Sequence, residues 1–131
     1  ILKWERKFKP SNFFHVGLRV LNEIQTKRIK ELNLQNISCE EFRTNPKKLE
    51  ELIKQTKCSK FVVHLDLDVL DPEDLYCAVA HDPNGMSVKE IIEAMNGISK
   101  NSEIVAFTIA EAMPQVQMRM KNMFKEFSIF K

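Results

Sequence analysis

Three carboxylates crowded at the end of an apolar run carry most of the chemistry this chain has to offer. The stretch reads Phe61-Val62-Val63-His64-Leu65-Asp66-Leu67-Asp68-Val69-Leu70-Asp71-Pro72. Taken as a strand, its side chains alternate between faces, so His64, Asp66 and Asp68 fall on one side and Val63, Leu65 and Leu67 on the other. Two acids at that spacing repel, and desolvating each costs on the order of several kcal/mol unless a positive charge neutralises it. A divalent metal is the simplest neutraliser. The plainer alternative is an edge strand with a wet face and Asp71-Pro72 as an ordinary turn, although such faces usually interleave Lys, Thr and Ser instead of repeating Asp.

Other polar residues gather around this segment in the order of the chain. Arg19 follows a first apolar stretch and reads as a structural ion-pair partner for an acid. His81 sits in a loop beyond the acidic segment and is a weak candidate for reaching a substrate, while Glu111 follows a last apolar run. His64 reads either as a support for a metal-bound aspartate or as a histidine satisfied on the strand face.

The elements that must position these groups follow from periodicity and from start and stop signals. Phe13 to Arg19 reads as a strand, and Leu21, Ile24, Ile29 and Leu32 mark an amphipathic helix ending near Asn33. A short strand is expected at Asn36-Ile37-Ser38. A helix then opens at Thr44-Asn45-Pro46, with Leu49, Leu52 and Ile53 on one face, and runs to about Lys57.

Past the acidic segment, Asp82-Pro83-Asn84-Gly85 is a turn signal. Ser87 with Glu90 forms a capping box for a helix whose buried side is Ile91, Ile92, Met95 and Ile98. Ile104 to Ala110 is so continuously apolar that burial on both faces is expected. A last helix is placed from about Gln115 to Phe127. Trp4 and Phe8, four apart, belong to an entering segment.

Helices between successive strands imply parallel pairing through right-handed crossovers. The fold class is therefore α/β: an open parallel sheet with helices on both faces, in one domain. Ligands of such sheets bind beyond the carboxyl ends of the strands, where Arg19, Asp66, Asp68 and Glu111 all fall.

Composition narrows the remaining classes. The 131 residues, 44% hydrophobic, are enough for one domain with a core. Twenty basic and 18 acidic residues spread along the chain, net +2, give nucleic-acid binding no support. No apolar stretch approaches the ~20 residues of a membrane helix, and no signal peptide is visible. Cys39, Cys58 and Cys77 are widely spaced with no CxxC pair and read as reduced thiols of a cytoplasmic protein. The first residue is Ile1, which fits a processed product or a fragment of something longer.

His64-Leu65-Asp66-Leu67-Asp68-Val69-Leu70-Asp71-Pro72 is similar to the signature of the arginase, agmatinase and formimidoylglutamase family, the ureohydrolases, in which Asp-x-Asp-x-x-Asp-Pro ends a central strand. His15-Val16-Gly17-Leu18-Arg19 resembles that family's Ile-Gly-Leu-Arg strand, and Asn84-Gly85-Met86-Ser87 its Gly-Gly-Leu-Ser/Thr helix start. Ala110-Glu111-Ala112-Met113-Pro114 corresponds in position to its Met-Glu-Val-Asn-Pro strand end.

The resemblance implies an arginase-like three-layer α/β/α fold, of which this chain would be the C-terminal portion. It implies Asp66 as a carboxylate bridging two Mn2+ ions and Asp68 as a ligand of one. Asp71 would be a supporting residue of the turn, and Glu111 would hold the polar end of a guanidino or formimino substrate. The implied reaction is hydrolysis of a C–N bond by a metal-activated water.

Two features depart from that pattern. The family's other ligands lie in Gly-Gly-Asp-His and Asp-Ala-His-x-Asp segments, and neither occurs in this sequence. Two carboxylates by themselves make a weak, unselective manganese site. With those ligands missing, the 131 residues alone are expected to be inactive; the loop Glu73 to Pro83 also lacks the family's Gly/Thr/Pro-rich substrate stretch, which leaves the substrate's identity open.

Two other classes remain open. Haloacid-dehalogenase-type phosphatases also end an apolar strand in Asp-x-Asp, with Asp66 as nucleophile, Asp68 as acid/base and Mg2+ as cofactor. Alternatively, the domain is non-catalytic and serves as an assembly surface, which exposed apolar residues at the Ile1 to Phe14 end or along the last helix would favour. The partners expected are a small-molecule substrate together with a second copy or the missing N-terminal part.

Overall fold

A computed structural model describes residues 8–113 and 116–131. Trp4, Pro114 and Gln115 lie outside the described residues, and so does the expected helix start at Gln115. The order is strand β1 (Phe14–Val16), helix α1 (Glu23–Leu32), β2 (Gln35–Ile37), α2 (Cys39–Thr44), α3 (Lys47–Thr56), β3 (Lys60–Asp66), α4 (Val88–Asn101), β4 (Glu103–Ala110) and α5 (Gln117–Phe124). The chain is α/β with parallel pairing: β1 runs parallel to β2, and β3 parallel to β4. Hydrogen bonding divides the strands into these two pairs.

Local chemistry explains most boundaries. Ser87 and Glu90 form the expected capping box of α4, with Oγ of Ser87 accepting from the Glu90 amide and the Glu90 carboxylate accepting from the Ser87 amide. Two further boxes, Asn22 with Gln25 and Ser38 with Glu41, start α1 and α2. The second of these starts a helix the periodicity does not announce, because six residues are too few to display a repeat. β1 is shorter than Phe13 to Arg19: Gly17 leaves the strand at φ +80°, and a Cβ there would sit 2.5 Å from Cγ2 of Val69.

The core lies between the strands and helices α3 and α4. Leu49, Leu52 and Ile53 of α3, Ile91, Met95 and Ile98 of α4, and Ile37, Leu65 and Leu67 belong to one buried cluster, and α3 packs against α4. Phe127, fully buried, packs against Phe107 and Phe124 just past the end of α5. α1 buries no residue completely, and Ile24 on it is 80% exposed.

β4 departs from the expectation of burial on both faces. Ile104 and Phe107 pack on the core, but Val105 is 50% and Ile109 40% exposed. Val62 and His64, paired in register with Ala106 and Thr108, lie on an exposed outer face. The strand carries an apolar sequence suited to two covers, and the described residues supply one.

Candidate active site

The acidic segment divides between two kinds of backbone. β3 ends at Asp66, and Leu67–Val69 form a 3-10 turn in which the Leu70 amide donates to the Leu67 carbonyl at 3.2 Å. Asp68 is therefore on a turn and not on the strand, so strand alternation does not set its direction. Leu67 and Leu70 are both buried and anchor the turn from below, which leaves Asp66 and Asp68 half-buried above it. Asp66 caps this turn loosely, its Oδ1 accepting from the Asp68 amide at 3.5 Å.

Asp71 ties the turn to the loop beyond it. Its Oδ1 accepts from the Glu73 amide at 2.9 Å and its Oδ2 from the Gly85 amide at 3.0 Å. The Asp71 amide donates to the Met86 carbonyl and the Met86 amide to the Val69 carbonyl, both at 2.8 Å. Gly85 is required here, since a Cβ would lie 2.5 Å from the Asp71 nitrogen and 2.6 Å from the Leu70 carbonyl carbon.

Glu111 follows directly on β4, one residue past Ala110, the register partner of Asp66. It is exposed and takes φ +60°, a left-handed conformation that is costly for a glutamate. Its carbonyl accepts from the Val79 amide at 3.1 Å, and the Met113 amide donates to the Cys77 carbonyl at 2.8 Å. The loop between β3 and α4 is thus stitched to the turn through Asp71 and Met86, and to the end of β4 through Val79 and Cys77. On that loop Tyr76 and His81 stack, with ring centroids 4.0 Å apart, and both are exposed.

Electrostatics agree with this grouping. Burial pushes the Asp68 carboxyl above the usual carboxylate range, the charge of Asp66 adds to the push, and Glu111 and Asp82 add further, while Arg19 opposes it. The end of the β3–β4 pair is a rim of negative charge that favours a cation. Carboxylates are the donors a hard divalent ion takes. Among the described residues, however, no group of three or more His, Cys, Asp or Glu is placed to hold a metal ion. The donor set fits Mn2+ in kind and falls short in number.

Other expectations resolve individually. Arg19 donates to main-chain carbonyls and not to the acid side chain expected from sequence: Asp68 at 2.6 Å, Asp82 at 2.8 Å and Val69 at 3.2 Å. No local signal foretells this, because the acceptors are backbone atoms far along the chain. His64 pairs with Thr108, Nδ1 to Oγ1 at 2.7 Å, on the exposed face. Burial raises the Cys39 and Cys77 thiols above their ordinary range, which makes both poor nucleophiles. All three cysteines are free. No helix among the described residues is long and apolar enough to cross a membrane.

The model of the arginase family matches residues 3–124. The arginase of Entamoeba histolytica, solved with L-ornithine, has a TM-score of 0.79 at 19% identity over 93% of this chain and 43% of its own. An arginase from Bacillus subtilis gives 0.76 at 26% identity, covering 92% of this chain and 42% of that one. The formimidoylglutamase of Bacillus subtilis gives 0.73 at 20% identity over 82% and 35%. The chain thus spans less than half the length of each. A search of curated proteins found no significant match. Nothing in these likenesses favours the phosphatase reading.

Proposed function

The chain belongs to the arginase family, and from that premise we propose that it is the C-terminal portion of a manganese-dependent ureohydrolase-like C–N hydrolase acting on a guanidino or formimino compound. The observation that supports the proposal is that Asp66 and Asp68 lie at the carboxyl end of β3 while Glu111 follows the carboxyl end of its parallel partner β4, near enough for its charge to act on Asp68. Ligands of parallel α/β sheets bind at such ends.

In this reading Asp66 and Asp68 supply the carboxylate half of a two-ion site, and the remaining ligands come from outside the described residues. Bound Mn2+ would supply a water acidic enough to act as a nucleophile near neutral pH. Asp71 holds the turn that carries both ligands. Glu111, just past the end of β4, holds the cationic or polar end of the substrate. Tyr76 and His81 present a flat pair of rings on the loop above, where His81 is a weaker candidate for substrate contact. The partner of the 131 residues is either the preceding part of the same protein or another copy.

Release of urea, ammonia or formamide from a guanidino or formimino compound, measured with the full-length protein and Mn2+, is the test. Asp66→Ala should abolish metal-dependent turnover while its circular dichroism stays native, and full activity in that variant would refute the assignment. A second reading, a non-catalytic assembly surface, draws on the exposed apolar residues Val62 and Val105 on the β3–β4 pair, with Phe13 and Met118 elsewhere. Stable self-association without Mn2+-dependent turnover would favour it.

A further inference from the structure

We infer that Arg19 is a positioning residue that locks the Asp66–Asp68 turn and the Asp82–Met86 segment of the loop into one frame. The inference rests on the proposed metal site only for its functional consequence; the clamp itself stands on geometry. Nη2 of Arg19 donates to the carbonyls of Asp68 at 2.6 Å and Asp82 at 2.8 Å, and Nη1 to that of Val69 at 3.2 Å. Leu70 lies at the edge of the same fork, at 3.5 Å. One planar group therefore grips three successive carbonyls of the acidic turn and one of the loop, which the chain separates by more than ten residues.

The backbone around Arg19 is bent to aim it. Gly17 takes φ +80° with no room for a Cβ against Val69, and Val20 takes φ +53°. A left-handed β-branched residue is a genuine outlier, costly enough to persist only where its surroundings over-determine it. Nε of Arg19 is buried and finds no acceptor among the described residues, so the side chain is held by its fork alone. Its positive charge, bonded to the Asp68 carbonyl, also opposes the repulsion that Asp66 exerts on the Asp68 carboxylate.

The clamp joins the two halves of the candidate site. The turn it grips carries Asp66 and Asp68, and the loop it grips is the one stitched to Glu111 through Val79. A lysine cannot replace it, because a single ammonium lacks the planar fork that serves turn and loop together.

Two measurements on the 15N-labelled full-length protein test this. The first is hydrogen exchange at the Asp71 and Met86 amides, which bridge turn and loop, with α3 amides as the control. In Arg19→Lys both bridging amides should exchange about tenfold faster or more, the factor carried by losing one charge-assisted hydrogen bond, while α3 is unchanged. The second is Mn2+ line broadening of the Asp66 and Asp68 amides, whose half-effect concentration should rise in the same variant.

Wild-type exchange at both amides in Arg19→Lys overturns the clamp, and faster exchange at one alone overturns the coupling. If the wild-type full-length protein shows no localised Mn2+ broadening, the manganese reading fails and the exchange measurement still decides the clamp; an unchanged half-effect concentration in Arg19→Lys overturns its role in positioning the acids. Arg19→Lys is preferred to Arg19→Ala because it keeps the stem packed and the charge in place, so that loss of the fork is read apart from loss of the fold.

Discussion

Replacing Asp68 with asparagine should make the metal-free chain more stable at neutral pH, which is the opposite of what most single substitutions do. Burial and the neighbouring Asp66 raise the Asp68 pKa in the folded chain. The sign follows from linkage. A carboxyl with a raised folded pKa favours the folded state fully below its ordinary unfolded value, and that contribution is lost as pH rises through the raised value. At pH 7 the ionised pair therefore works against folding.

The magnitude is modest, because Asp68 is only half-buried and solvent screens the repulsion: about 0.5 to 1 kcal/mol. For a domain of this size that is roughly 2 to 4 °C in Tm. Asparagine keeps the main-chain carbonyl that Arg19 grips, so the clamp survives the change. Thermal denaturation of both proteins in EDTA at pH 7 and pH 3 measures it. The gain should be present at pH 7 and gone at pH 3, where the wild-type carboxyl is protonated. A lower Tm for Asp68→Asn at pH 7, or an equal gain at both values, would refute the account of a repulsive acidic pair.

Three further outcomes are expected. Glu111→Gly should be at least as stable as wild type and more stable than Glu111→Ala, since only glycine takes φ +60° without a Cβ penalty, a difference of about 1 kcal/mol by chemical denaturation; in the full-length protein the same change should weaken substrate binding. Gly85→Ala should cost about 2 kcal/mol or more, because its methyl would meet backbone atoms of Leu70 and Asp71 that cannot yield without moving the acidic turn. Phe127→Ala should cost about 3 to 5 kcal/mol by urea denaturation, as the side chain is fully buried among Phe107 and Phe124, and an effect under 1 kcal/mol would mean the C-terminal cluster is not part of the core.

What the sequence determined by itself is whatever short-range chemistry controls. The capping box at Ser87 and Glu90 is legible because both partners lie within one helical turn. The helices Lys47–Thr56 and Val88–Asn101 are legible from their apolar faces, and the β3 strand from a run that ends abruptly in acids. From these, the parallel order and the gathering of Asp66, Asp68 and Glu111 at the strand ends follow by topology.

Tertiary structure decided what depends on atoms far apart in the chain. Asp68 leaves the strand because Leu67 and Leu70 are drawn together into the core and pull the segment into a 3-10 turn. Arg19 bonds a carbonyl 49 residues away, an acceptor that every residue possesses and no pattern marks. Glu111 is left-handed because the β3–α4 loop holds the chain on either side of it, the Val79 amide donating to the Glu111 carbonyl and the Cys77 carbonyl accepting from the Met113 amide. β4 reads as a strand covered on both faces, but only packing shows which cover is present. Sequence placed the acids at one edge, and long-range backbone hydrogen bonds set the frame that holds them.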